Sequence, residues 1–168
     1  MENDVQYRTA TVSDTGLILF FIRALADHVK KLDEVTVTEE AIRHWLFEEH
    51  RAEVLFAVKD GQEVGFALYF YMFSTFSGKP VLFLEDFYVL PQYRGNGYGK
   101  GILGELARIA LQGGCGRMEW HCLDWNKPSI EFYLSLGARV EDDFSVYSLS
   151  GDALRHMAEE PRDAAANG

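Results

Sequence analysis

The sequence predicts an α/β (α+β) domain with a mixed central sheet flanked by helices, and three observations predict it. A hairpin signal, Asp60-Gly61, joins two runs rich in β-branched and aromatic residues. A glycine-rich segment, Arg94-Gly95-Asn96-Gly97-Tyr98-Gly99, stands between an apolar strand and a run with helical periodicity. Strand-like and helix-like segments follow one another in the order βααβββαβαβ, and no repeat or linker divides the 168 residues. One domain over residues 1–158 is therefore expected. Residues 159–168 lack an apolar anchor and are expected to be a disordered tail.

Each element has its own local signal. Val5 to Arg8 reads as a short strand. Ser13-Asp14 offers caps for a helix whose Leu17, Phe20, Phe21, Ala24 and Leu25 recur at spacings of three and four. Thr36-Val37-Thr38-Glu39 has capping-box spacing and leads into Ala41, Ile42, Trp45 and Leu46 on one helical face. Val54 to Lys59, Glu63 to Phe73 and Val81 to Val89 read as three strands at the centre of the sheet. Ile102, Leu103, Leu106, Ala107, Ala110 and Leu111 form a helical stripe that ends at Gly113-Gly114. Arg117 to Leu123 reads as a strand, Pro128 to Leu136 as a short helix ended by Gly137, and Phe144 to Leu149 as a last strand.

Charge and composition exclude several function classes. With 26 Asp and Glu against 16 Lys and Arg, the net charge is −10, a field that repels nucleic acid and anionic membrane and favours cationic small molecules. The longest apolar run, Val64 to Phe73, is too short to span a bilayer, and the N-terminus lacks the pattern of a secretory signal, so a cytoplasmic protein is expected. The two cysteines, Cys115 and Cys122, are not spaced for a disulfide framework or a zinc site, and no metal site is expected.

The glycine segment points to a phosphate ligand. A strand that delivers a glycine-rich turn into a helix presents unpaired N–H groups at the positive helix end, and Gly97 and Gly99 let an anion approach the main chain. Spacing eliminates two alternatives. A P-loop needs glycine where Arg94 stands and Ser or Thr where Gly101 stands. A dinucleotide fingerprint needs Gly or Ala where Lys100 or Ile102 stands.

The remaining pattern, R-x-x-G-x-G at Arg94, Gly97 and Gly99, resembles the pyrophosphate loop of the GNAT acyltransferases. Leu84 to Val89, Tyr93-Arg94-Gly95, Trp125 to Tyr133 and Gly137-Ala138 are similar, in order and spacing, to the diamine (spermidine/spermine) N-acetyltransferase branch of that superfamily. The resemblance implies acetyl-CoA as co-substrate and a splayed strand pair, Val81–Val89 against Arg117–Leu123, that opens a slot for it. It implies that the backbone of Phe87, Tyr88 and Val89 pairs with the pantetheine arm. It further implies that Arg94, Gly95, Asn96, Gly97, Tyr98, Gly99 and Lys100 hold the pyrophosphate, and that Asn126, Lys127 and Ser129 complete the site. Homodimers are common in this branch.

Two carboxylates in an apolar strand, Glu85 and Asp86, are candidates for taking a proton from an ammonium group, since desolvation raises a carboxyl pKa. In a regular strand they face opposite sides; a bulge, typical of GNAT proteins here, would re-aim them. The resemblance assigns Glu85 as base, directly or through water, Asp86 to substrate binding and Tyr133 as the general acid beside the CoA sulfur. The other readings are structural ion pairs for the carboxylates and core filling for Tyr133. No basic partner stands near Cys122 to suggest a covalent intermediate.

Polyamine-acetylating relatives carry a Tyr-Glu pair where this chain has His28-Val29. Asp27, His28, Glu119, Trp120 and His121 are the candidates for acceptor contacts. The expected activity is acetylation of a primary amine on a small cationic molecule. The alternatives are the same chemistry on a protein N-terminus, lysine or antibiotic, or a CoA-binding sensor without turnover.

Overall fold

The computed structural model describes residues 5–159, which divide at His121/Cys122 into two compact units. The first unit is a five-stranded sheet in sequence order: β1 (Val5–Thr9), β2 (Glu53–Lys59), β3 (Gln62–Ser74), β4 (Lys79–Val89) and β5 (Arg117–Trp120). β1 to β4 are antiparallel, and β5 joins β4 in parallel. The parallel step follows from the connection, because α3 (Tyr98–Gln112) carries the chain from the end of β4 back to its start.

Both faces of the sheet are covered. On one, α1 (Thr15–His28) inserts Ile18 and Phe21, and α2 (Glu39–Ile42) inserts Ile42, against Val54, Phe56, Phe66, Leu68, Tyr88 and Leu90. The Phe21 ring stacks on Phe66 at 5.0 Å and tilts against Phe56 at 5.8 Å. The helix cap lies at Thr38, whose hydroxyl accepts from the Ala41 amide at 3.1 Å, two residues after the Thr36 that the sequence pattern suggests. Beyond Ile42 the backbone loosens into a π-turn, Arg43–Glu48.

On the opposite face α3 buries Ile102, Leu103, Leu106 and Ala110. Its close approach depends on glycine at two places. A Cβ on Gly65 would lie 2.9 Å from Ile102 Cδ1 and 3.0 Å from the Tyr88 carbonyl, and one on Gly101 would overlap the Tyr7 hydroxyl. At the rim, Arg8 makes paired hydrogen bonds to Asp14 (2.8 and 2.9 Å) and bonds Glu63 (2.7 and 3.0 Å). That contact lowers the Asp14 carboxyl to about 2.

The second unit contains α4 (Lys127–Ser135) and α5 (Gly151–Glu159). Asn126 caps α4, its side chain accepting from the Ser129 amide at 3.4 Å, and Gly137 ends the turn at φ 89°.

Three expectations need correction. Phe144–Leu149 forms no strand: Phe144, Val146 and Tyr147 are 84%, 84% and 92% exposed, and a strand without a packed partner has no stability of its own. β5 stops at Trp120 rather than Leu123, for a reason set by β4. The helix α5 was not expected, so the order is βααβββαβαα. Glu159 closes α5, and the expected tail beyond it lies outside the described residues.

The Gly101 contact yields a stability test. Gly101→Ala is expected to cost about 1–3 kcal/mol in chemical denaturation, and adding Tyr7→Phe to restore most of it, because the hydroxyl is the obstructing atom. Equal stability of the single and double variants would show that the helix itself moves.

Candidate active site

The site is organised by one extra residue in β4. Pairing with β3 runs Phe70 to Phe83 and Tyr69 to Leu84, then resumes at Leu68 with Asp86, so Glu85 stands opposite no residue. This bulge breaks the alternation that would send Glu85 and Asp86 to opposite faces. Asp86 shares its face with Leu68 and Tyr88, beneath α1, while Glu85 is exposed. Burial first, and the neighbouring Glu85 charge second, raise the Asp86 carboxyl to about 6.

The bulge also ends the pairing with β5. That ladder runs from Val81 with Arg117 to Leu84 with Trp120, and from there to Val89 β4 is paired with β3 only. The Leu90 amide donates to the Val64 carbonyl at 3.0 Å, so by alternation the backbone groups of Tyr88 face β3 while those of Phe87 and Val89 face away from it. Of the three residues expected to pair with an extended arm, Phe87 and Val89 point to the open side and Tyr88 does not.

β4 delivers the chain through a short turn, Pro91–Tyr93, into the glycine loop. Gly95 and Gly97 adopt φ of 79° and 82°, a conformation that favours glycine. The Asn96 side-chain amide donates to the carbonyls of Tyr93 and Arg94, both at 3.1 Å, and holds the loop from within. The first α3 bond runs from the Gly101 amide to the Gly97 carbonyl at 2.9 Å, so the amides of Tyr98, Gly99 and Lys100 have no acceptor inside the helix. A Cβ placed on Gly95 or Gly97 would meet no atom within 4 Å. Open space over a row of outward amides at a helix start fits a diphosphate. The Tyr98 ring is buried near Tyr93, so Tyr98 offers its backbone, and the exposed Lys100 offers charge.

The acceptor candidates separate. His28, at the end of α1, lies 5.7 Å from the Tyr88 ring, and burial first and Arg94 second lower its pKa. Asp27 is solvent-exposed. Glu119 is bonded to Arg117 at 2.5 Å. His121 stands edge-on to Phe83 at 5.0 Å, and Phe83 lies 5.2 Å from Phe70. Register places Glu119 and Phe83 on the Asp86 face and Trp120, beside Leu84, on the α3 face. Phe70 and Phe83 were not anticipated; alternation counted from Asp86 across a bulge would have found them.

In the second unit, α4 carries Tyr133, whose hydroxyl is raised to about 12 by burial and then by Cys122. It therefore keeps its proton at neutral pH and is chemically able to give it. Burial and Asp124 raise the Cys122 thiol, which weakens it as a nucleophile. Asn126 and the Ser129 amide are joined by the α4 cap, and Lys127 is exposed beside them. Among the described residues, no group of three or more His, Cys, Asp or Glu side chains is placed to hold a metal ion.

Comparison with known proteins agrees with this geometry. Residues 21–138 match the model of the acetyltransferase (GNAT) family. The chain is 38% identical to a thialysine N-epsilon-acetyltransferase of Sus scrofa, over 92% of this chain and 97% of the relative. It is 34% identical to the human spermidine/spermine N(1)-acetyltransferase-like protein 1, over 91% of this chain and 24% of that longer protein. Among solved structures, an integron cassette protein from V. cholerae superposes with a TM-score of 0.76 at 25% identity, covering 92% of this chain and 98% of the other. The bulged, open-edged β4, the glycine loop that follows it and these matches together establish that the chain belongs to the acetyltransferase (GNAT) family of acetyl-CoA-dependent N-acetyltransferases.

Proposed function

We propose that this acetyltransferase acylates a primary amine of a small cationic molecule, such as a polyamine, a diamine or an amino acid with a basic or thia-substituted side chain. The observation that carries this reading is the half-buried Asp86, its carboxyl raised to about 6, next to the exposed Glu85 at the end of the β4–β5 ladder. The names of the relatives, thialysine and spermidine/spermine acetyltransferases, support the substrate class. So does the net charge of −10, which draws cations.

Bound acetyl-CoA supplies an activated thioester carbonyl. Phe87 and Val89 align its arm by strand-like hydrogen bonds, and the amides from Gly95 to Lys100 hold its diphosphate. Asn126, Lys127 and Ser129 complete the cofactor contacts. An aliphatic amine with a pKa near 10.4 is neutral in only about one molecule in two thousand at pH 7, so a group must remove its proton. Glu85, solvated at the bulge, takes that proton through water, and Asp86 holds the ammonium group. The N–C bond forms, the C–S bond breaks, and the Tyr133 hydroxyl gives its proton to the departing sulfur. His28, Asp27, Glu119, Trp120 and His121 surround the acceptor. The protein works as a cytoplasmic homodimer of single-domain chains, without nucleic acid, membrane or metal.

Four measurements test this reading. Free-thiol release from acetyl-CoA, followed with polyamines, diamines, basic amino acids and peptides, is expected to be fastest with a small diamine or basic amino acid. CoA binding without release for any acceptor would favour a sensor, and release with peptides alone a protein-modifying enzyme.

The acid limb of kcat/KM is expected near pH 6, where the Asp86 carboxyl gains a proton and loses its hold on the ammonium group. Glu85→Gln removes the neighbouring charge, the lesser of the two causes that raise Asp86, so it should lower the rate and shift the remaining limb slightly to lower pH. An unmoved limb would assign it to another group. The raised carboxyl also marks a stability cost. The folded pKa lies above the unfolded one, so the stability contributed by protonated Asp86 is present below about pH 4 and lost as pH rises through 6. Asp86→Asn should accordingly stabilise the protein at pH 7.5 by up to about 3 kcal/mol while impairing turnover.

Tyr133→Phe should lower kcat by roughly 10- to 1000-fold with little change in the KM for acetyl-CoA. Unchanged turnover would remove Tyr133 from the chemistry.

A further inference from the structure

The arginine that opens the glycine loop is turned back onto β4. Arg94 Nε donates to the Val89 carbonyl at 2.9 Å, and its guanidinium carbon lies 5.0 Å from the centre of the Tyr88 ring. The imidazole of His28 meets that same ring at 5.7 Å. Tyr88 is thus gripped between the loop and the end of α1, and its own backbone groups face β3.

We infer that Arg94 is a positioning residue rather than a ligand of the CoA diphosphate: it closes the open edge of β4 at the Val89 carbonyl and anchors the glycine loop on Tyr88. Building on the proposed cofactor site, this leaves the carbonyl and amide of Phe87 and the amide of Val89 for the extended arm, while Arg94 occupies the next acceptor along. The loop then holds the diphosphate through main-chain amides and Lys100. Because Tyr88 also touches His28, the same contact fixes the β4 backbone against the helix that borders the acceptor side.

The two roles separate by truncating the ligand and by a substitution matched atom for atom. Gln places an amide nitrogen at the same position along the side chain as Arg Nε, so Arg94→Gln keeps a donor for Val89 and discards the charge. Affinities of CoA and of pantetheine, which lacks the diphosphate and nucleotide, would be measured by calorimetry or competition for the wild type, Arg94→Gln and Arg94→Ala. Circular dichroism would confirm that each variant folds. Arg94→Ala is expected to weaken both ligands by a similar factor, about tenfold for the loss of one charge-assisted hydrogen bond. Arg94→Gln is expected to retain affinity for both within about threefold, with the salt dependence of CoA binding unchanged.

A loss confined to CoA, equal in the Gln and Ala variants and accompanied by a shallower salt dependence, would overturn the inference. So would wild-type CoA binding with no measurable competition from pantetheine. CoA binding needs no acceptor, so these outcomes are independent of whether the proposed amine class is correct.

Discussion

The extra residue in β4 is the constraint on which the rest of the site depends. A strand in register with both neighbours would place Glu85 and Asp86 on opposite faces and leave no backbone group unpaired. With Glu85 unopposed, Asp86 is carried under α1 into a poorly solvated position, and the ladder to β5 ends at Leu84 and Trp120. A poorly solvated carboxylate and an open strand edge therefore arise from the same local irregularity. α1 and α2 cover the Asp86 face of the sheet, and α3 is drawn tightly onto the other through Gly65 and Gly101.

The glycine loop works only in this setting. Its positive-φ residues and outward amides are a local property of Gly95, Gly97 and the start of α3, but their direction is set by the end of β4. Arg94 makes that dependence physical, since its side chain returns to the strand instead of reaching outward. His28, Tyr88 and Arg94 form a continuous row of ring contacts from the end of α1 to the glycine loop. On the proposed roles, the acceptor side and the cofactor loop thus share one buried tyrosine ring.

Much of this was legible in the sequence because it rests on local signals. The Asp60-Gly61 hairpin, the apolar run from Val81 and the helical stripe from Ile102 to Leu111 encode their elements directly, and spacing alone separated the glycine loop from two other phosphate motifs. What was not legible depends on partners distant in the chain. Phe144 to Leu149 has strand-forming residues but no ladder to join, and Arg117 to Leu123 is cut short because the strand beside it bulges. The faces that Glu119 and Trp120 share with Phe83 and Leu84 follow from the register of β5 on β4, which periodicity within one strand does not reveal. Phe70 and Phe83 were missed for the same reason: their relation to Asp86 changes sign across the bulge.

Backbone amide exchange, read residue by residue by NMR with and without CoA, tests the central claim most directly. In the free protein the Phe87 and Val89 amides are expected to exchange faster than the Tyr88 amide, which is tied to β3. CoA is expected to slow Phe87 and Val89 by about tenfold or more while leaving Tyr88 unchanged. Exchange at Phe87 and Val89 that is already slow, or that does not respond to saturating CoA, would contradict the claim that the bulge opens this edge for the cofactor.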